Sequence, residues 1–199
     1  MIRNKALAWM MVLVLLGGCA SAVKIEGEQL LNKRLSVRVA DAWNRLSLPG
    51  MNQPFEAWTQ DGMLLDQLRF WSAVKGGQTL VTPPPSPAVG QKAPRVPTFR
   101  VGMPPDELVA LFEQVFAIDG SVVTIEKVEP ARFAGEDGTR FEFAIVRKYD
   151  GVQLRGAGWV SVRQGELFAA TFTAPRLSFF ARNLPKAEAV VASAVIKGP

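Results

Sequence analysis

The sequence contains few of the side chains that proteins use as nucleophiles, general bases or metal ligands. It has no histidine and only one cysteine, Cys19. Structural zinc sites, thiol nucleophiles away from Cys19, Ser-His-Asp triads and histidine bases are therefore excluded, and no disulfide can form within the chain. Carboxylates are what remains, and Glu56, Asp61 and Asp66 are the nearest approach to a paired-acid site. Solvated carboxylates are the simpler interpretation, because Asp61 precedes Gly62 in a predicted turn.

Two short motifs resemble signatures of catalysis or cofactor binding. Residues Ser72 to Lys75 fit the Ser-x-x-Lys pattern of penicillin-binding enzymes, but they lie in a predicted strand without the companion motifs. The same four residue types recur at positions 21–24. The Gly156-Ala157-Gly158 fragment also lies within a strand, where glycine indicates a bulge or close packing, here by a helix on the sheet. We predict no enzymatic activity, no cofactor and no metal site.

The N-terminal segment has the three zones of a secretory signal peptide. Arg3 and Lys5 precede an uninterrupted apolar run at positions 6–16, which is too short for a membrane span of about 20 residues. The run leads into Leu16-Gly17-Gly18-Cys19, which resembles the lipobox of bacterial lipoproteins. That resemblance implies a signal peptide at 1–18, acylation of Cys19, and an acylated N-terminus with a short tether at 19–34.

The anchor predicts where the protein resides. Two or three acyl chains, palmitate among them, would hold the domain permanently at a membrane of the cell envelope. Ala20 follows the cysteine, where an aspartate would resemble an inner-membrane retention signal, so the periplasmic face of the outer membrane is favoured. The formal net charge of +5 includes Arg3 and Lys5 of the signal peptide, and no dense cluster of lysine and arginine is present. We therefore predict a membrane partner and no nucleic acid.

Residues 35–199 are predicted to form a single α+β domain, an antiparallel β-sheet with helices packed on it. Alternating apolar and polar residues predict strands at 35–39, 55–59, 68–74, 122–128, 139–149, 154–163 and 167–173. An apolar stripe after Pro104 and Pro105 predicts a helix that ends near Asp119. Two further helical segments are predicted at 177–183 and, opening with Pro185, at 185–196.

This order of elements resembles the PsbP-like fold. The likeness rests on a strand leading into Trp43-Asn44, a three-strand meander with Gly165-Glu166-Leu167 and Thr173-Ala174-Pro175, and a C-terminal helix, and it spans about residues 35–196. It implies an α/β/α sandwich and a binding module more than an enzyme. It transfers no functional residue.

A proline-rich loop is predicted at 82–98. Its prolines exclude a central strand or a helix and favour polyproline-II conformation. Positive charge without a neighbouring acid makes the loop a candidate contact for an envelope protein. The residues proposed for that contact are Pro84, Pro85, Pro87, Lys92 and Arg95.

Three functions remain open at this point. The first is a non-catalytic, membrane-anchored binding or assembly module of the envelope. The second is a carrier for an apolar ligand held between sheet and helices, which an apolar cavity would favour. The third is a carboxylate-dependent hydrolase of envelope glycans, which a cleft with two close acids would favour.

Overall fold

The computed structural model describes residues 21–47, 52–82 and 95–198. Within these ranges the chain forms nine strands and two helices. In chain order they are β1 (Ser21–Leu31), β2 (Leu35–Ser47), β3 (Glu56–Thr59), β4 (Gln67–Lys75), α1 (Pro105–Ala117), β5 (Val122–Phe133), β6 (Glu136–Val146), β7 (Gln153–Arg163), β8 (Glu166–Pro175), α2 (Phe179–Ala192) and β9 (Val195–Ile196).

The strands form one antiparallel sheet, which confirms the predicted α+β class. Their order is β1-β2-β3-β4-β8-β7-β6-β5, with the short β9 also paired to β2. Strands β5 to β8 are a meander of consecutive antiparallel neighbours. The pairing of β4 with β8 joins this meander to β1–β4.

The predicted tether is wrong for residues 21–31, which form β1. This strand pairs with β2 over nearly its whole length, from Ser21 opposite Ser47 to Leu31 opposite Leu35. Ile25 and Leu31 are buried. The strand was missed because β1 lies at the edge of the sheet and does not keep its apolar residues on the buried face. Val23 and Leu30 are exposed. Only Ala20 therefore separates Cys19 from the sheet.

The two faces of the sheet carry separate apolar layers, one under each helix. Phe70 of β4 belongs to the layer that contains Trp43, Trp58 and residues of α2. Its neighbour Trp71 belongs to the layer that contains Phe112 of α1. Successive strand residues point to opposite faces, so helices on both sides bury both sets. The α/β/α sandwich is confirmed.

Two of the three connections of the meander, β5–β6 and β7–β8, are two-residue turns with positive φ. Ala134 and Gly135 have φ values of 54° and 90°, and Gln164 and Gly165 have 51° and 77°. Two left-handed residues in succession match the twist of a hairpin. The two strands are therefore longer here than the predicted 122–128 and 139–149, because β5 continues to Phe133 and β6 begins at Glu136.

Two glycines of β7 leave space for aromatic rings of β6. A Cβ atom on Gly156 would lie 2.2 Å from Cζ of Phe143, and one on Gly158 would lie 2.2 Å from Cζ of Phe141. The close packing expected here is present, but it comes from these rings and not directly from a helix. Helix α1 packs on the outer side of the rings, since Phe116 lies 4.8 Å from Phe143 between ring centroids.

We expect Gly156→Ala to lower the free energy of unfolding by about 1–3 kcal/mol, because the added methyl group forces the Phe143 ring out of its rotamer. Urea denaturation measures this change. Gly198→Ala is the matched control, because nothing lies within 4 Å of its added Cβ. When Gly156 is already alanine, Phe143→Leu should lower the free energy of unfolding by less than it does in the unmodified protein. Additive effects of the two changes would contradict the proposed contact.

The C-terminal segment differs from the two predicted helices. A single helix, α2, runs through Pro185, and Ile196 belongs to β9. Proline removes one backbone donor from a helix interior. Burial of Phe180, Ala187 and Val191 against the sheet offsets that loss.

Candidate functional site

Most of the site residues predicted from sequence lie outside the described ranges. These are Cys19, Pro84, Pro85, Pro87 and Lys92. Arg95 is described and exposed. The end of the proline-rich segment is attached to the domain, because Leu80 donates a backbone hydrogen bond to Pro97 and Phe99 is fully buried. A protein contact at 82–98 stays a prediction.

The three acidic residues considered for catalysis each have a structural partner. Asp66 is buried and accepts hydrogen bonds at 2.8 Å from the Thr59 hydroxyl and from the backbone N–H groups of Gln60 and Asp61. Glu56 pairs with Arg45 at 3.0 Å. Ser72 is equally occupied, donating its hydroxyl to the carbonyl of Leu31 at 3.1 Å.

Asp61 fastens the β3–β4 connection to α2. Its carboxylate accepts from Asn183 Nδ2 at 2.6 Å and from Arg182 Nη2 at 2.5 Å. The Asn183 amide and the Arg182 guanidinium lower the pKa of Asp61 below its ordinary value of 3.8. This group therefore stabilises the fold above pH 3.8, and its contribution is lost as the pH falls through the lowered value.

We expect Asp61→Ala to lower the free energy of unfolding by about 1–2 kcal/mol at pH 7, because the buried Asn183 amide loses its acceptor. The difference from the unmodified protein should shrink below pH 3.8. Urea denaturation at both pH values measures it. Asp137→Ala is the control, since that side chain is fully exposed and 3.8 Å from Arg132. A difference that is constant with pH would contradict this role.

A cavity of about 740 Å³ lies beside the C-terminal end of α1, and we call it the Arg69 cavity. Its floor is the α1 side of strands β2, β3, β4 and β8, and its wall is the C-terminal end of α1. The volume is within the range of about 300–1,000 Å³ typical of small-molecule sites. Residues that line it include Leu46, Ala57, Arg69, Thr173, Val115, Phe116 and Ile118.

Arg69 places a positive charge in this cavity. Its guanidinium carbon lies 5.0 Å from the ring centroid of Phe55 and 5.2 Å from that of Phe116. Nε and Nη2 both donate to Gln67 Oε1, at 2.9 and 2.7 Å. Among the described residues, Arg69 has no carboxylate oxygen within 4.0 Å.

The charge of Arg69 persists at neutral pH. Desolvation lowers its pKa to about 10, and the Asp119 carboxylate acts in the opposite direction. Asp119 lines the cavity and accepts a hydrogen bond from the Ser121 N–H at 2.8 Å. The cavity therefore holds a cation whose water shell is depleted and whose attraction to an anion is enhanced.

A buried hydroxyl lies beside this charge. Thr171 pairs directly with Arg69 across the β4–β8 ladder and is fully buried. Its Oγ1 has no hydrogen-bond partner in the described structure. An unsatisfied buried hydroxyl costs about 1–3 kcal/mol. Thr171 lies beneath the cavity lining and is not part of it.

Exposed apolar side chains surround one end of the cavity. Leu64 and Tyr149 are 62% and 67% exposed and both line it, as does Met63. The other cation at this end, Arg147, is neutralised by Asp150 through two hydrogen bonds of 2.9 and 2.6 Å. Arg69 and Arg147 thus differ in whether a carboxylate accompanies them.

Arg69 was missed at the sequence level, although it leaves a signal. It is the one charged residue within the apolar run from Leu68 to Trp71. A charge on the buried face of a strand is uncommon, and it makes the residue a candidate for function when no salt bridge neutralises it.

Comparison with known proteins shows the architecture. No family model matches the chain, and no curated protein matches its sequence. The solution structure of cyanobacterial PsbP (CyanoP) from Synechocystis superposes with a TM-score of 0.55 at 12% identity, covering 91% of this chain and 95% of that one. The chain has a PsbP-like fold.

Two further solved structures are similar to this PsbP-like chain, with lower TM-scores. A crystal structure from Bacteroides thetaiotaomicron has a TM-score of 0.50 at 12% identity and covers 87% of this chain but 49% of its own. LpqN, described as involved in cell envelope biogenesis of Mycobacterium tuberculosis, has a TM-score of 0.35 at 10% identity, covering 92% of this chain and 88% of its own, and carries no argument here. The PsbP-like likeness concerns the fold alone, so the site must be argued from its own residues.

Proposed function

We propose that this chain is a non-catalytic binding module, held at a membrane of the bacterial cell envelope by acylated Cys19, and that the Arg69 cavity is its binding site. The observation that supports binding is the cavity itself, with a desolvated cation above an apolar floor. Pockets of this kind, apolar with a few placed polar groups, are the usual form of small-molecule sites.

The arrangement of acids argues for binding over hydrolysis. Asp66 and Asp119 both line the cavity. Three donors already occupy the oxygens of Asp66, and Asp119 Oδ1 accepts from the Ser121 N–H. Asp61 is occupied by α2. In the described residues no group of three or more acids, histidines or cysteines is suited to a metal ion. A glycan hydrolase would need two acids with separate roles facing one cleft.

The anchor is supported by the N-terminal sequence. In the described part of the chain, neither helix is long and apolar enough to cross a membrane. Lipidation of Cys19 is the proposed means of attachment on the strength of Leu16-Gly17-Gly18-Cys19, with the outer membrane favoured by Ala20.

Native mass spectrometry tests the binding site. The acylated protein released from its membrane in nonionic detergent should carry a small molecule in addition to the anchor and detergent. Ala57→Trp should remove it, because Ala57 lies on the cavity floor. Ala131→Trp, on edge strand β5, is the matched control and should retain it. An adduct of equal abundance in Ala57→Trp would refute the site.

A further inference from the structure

The ligand class of the Arg69 cavity follows from two observations at one position. The first is the charge of Arg69, which forms no salt bridge among the described residues and whose guanidinium is held by Gln67. The second is the apolar surface around it, which includes Phe55, Val115 and Phe116.

Arg69 is the described lining cation that no salt bridge occupies. Asp66 and Asp119 also line the cavity. Three donors hold the Asp66 carboxylate and the Ser121 N–H holds Asp119 Oδ1, and neither acid has an oxygen within 4.0 Å of the Arg69 guanidinium. Arg147 is neutralised by Asp150. Arg69 is thus the cation left to recognise a ligand among the described lining residues, and a guanidinium pairs well with the two oxygens of a carboxylate or phosphate.

The position of the cavity relative to the anchor favours a lipid. Ser21, the first residue of β1, pairs with Ser47, and Ser47 lines the cavity. Cys19 is two residues before Ser21 in the sequence. Acylation at Cys19 would therefore place this part of the cavity wall at the membrane surface.

The geometry points to an anionic, single-chain amphiphile of the anchoring membrane as the ligand, with its carboxylate or phosphate on Arg69 and its alkyl chain along the apolar wall. This inference rests on the proposed function, since it takes the Arg69 cavity as the binding site and Cys19 as the anchor. The exposed Met63, Leu64 and Tyr149 add apolar surface to the lining for the alkyl chain to contact.

Photo-crosslinking in membranes tests the inference with the full acylated protein. The protein is placed in phosphatidylcholine nanodiscs with one of three probes: palmitic acid, the corresponding alcohol, or the phosphate monoester of that alcohol. Each probe carries the same diazirine on its alkyl chain. Peptides containing Phe55, Met63 or Val115 should be labelled at least about tenfold more by one or both anionic probes than by the alcohol. The ratio of acid to phosphate identifies the head group.

Two arginine variants isolate the charge. The preference is the ratio of labelling by the anionic probe to labelling by the alcohol. Arg69→Met should reduce this ratio to about one. Arg69→Lys keeps the charge and should retain a ratio severalfold above one. Arg163→Met is the matched control and should leave the preference unchanged, because Arg163 is a cation outside the lining of the cavity. Arg69→Lys also guards against loss of folding in Arg69→Met.

Two results of the crosslinking experiment would overturn the inference. Equal labelling by the alcohol and both anions, or a preference that survives Arg69→Met, would overturn the anionic ligand. Labelling confined to β1 would overturn entry from the membrane. In either case a bound small molecule that Ala57→Trp removes would leave the proposed function intact. Absence of that molecule would refute both.

Discussion

Replacing Phe112 by alanine is expected to lower the free energy of unfolding by about 3–5 kcal/mol, as for a large aromatic side chain removed from a packed core. Phe112 is fully buried under α1. Its ring centroid lies 5.1 Å from that of Trp71 and 5.6 Å from that of Phe141. It therefore joins the helix to β4 and β6 at once, and a cavity there cannot be filled by a single neighbour.

Urea denaturation at constant temperature measures this loss. Glu113→Ala is the matched control on the same helix, where the side chain is exposed and the expected change is within about 0.5 kcal/mol. If Phe112→Ala does not fold, Phe112→Leu provides a milder change that should still cost at least about 1 kcal/mol. A loss from Phe112→Ala no greater than that of Glu113→Ala would show that α1 does not pack on the sheet as described.

The second large effect concerns the anchor. Cys19→Ala is expected to abolish lipidation completely, since the chain has no other cysteine. The intact mass of the detergent-extracted protein should lack the acyl chains, and the protein should leave the membrane fraction or retain its signal peptide. With several acyl chains removed, no comparable membrane affinity remains.

Ala20→Asp is the matched comparison, because it keeps the cysteine and resembles the inner-membrane retention signal. It should keep the lipid mass while moving the protein to the inner membrane of a two-membrane cell. A mature N-terminus other than Cys19, without lipid mass in the unmodified protein, would contradict the anchor and with it the membrane origin of the ligand.

The fold was readable from sequence wherever a local pattern and a tertiary contact favour the same structure. The meander is the clearest case, because Asp150-Gly151 and Gln164-Gly165 mark turns between strands of alternating character. The stripe that includes Leu108 and Phe112 likewise predicted α1, and its buried residues are those of the stripe.

The predictions from sequence were wrong where the local conformational preference of the residues conflicts with their tertiary packing. Pro185 disfavours a helix interior, yet α2 continues through it because its apolar face is buried on the sheet. Strand β1 has an exposed outer edge and so resembled a tether. Its stability comes from the ladder with β2, a partner that periodicity alone does not identify.

The sequence by itself determined the chemical limits of this protein: without histidine and with one cysteine, it has neither a catalytic triad nor an internal disulfide, and Leu16 to Cys19 predict where it is anchored. Only the tertiary structure decided where a ligand would bind. Arg69, Thr171 and Phe116 are far apart in the chain and meet because β4 pairs with β8 beneath the end of α1. Long-range strand pairing of this kind leaves no local pattern, so the cavity it creates could be found only in the folded chain.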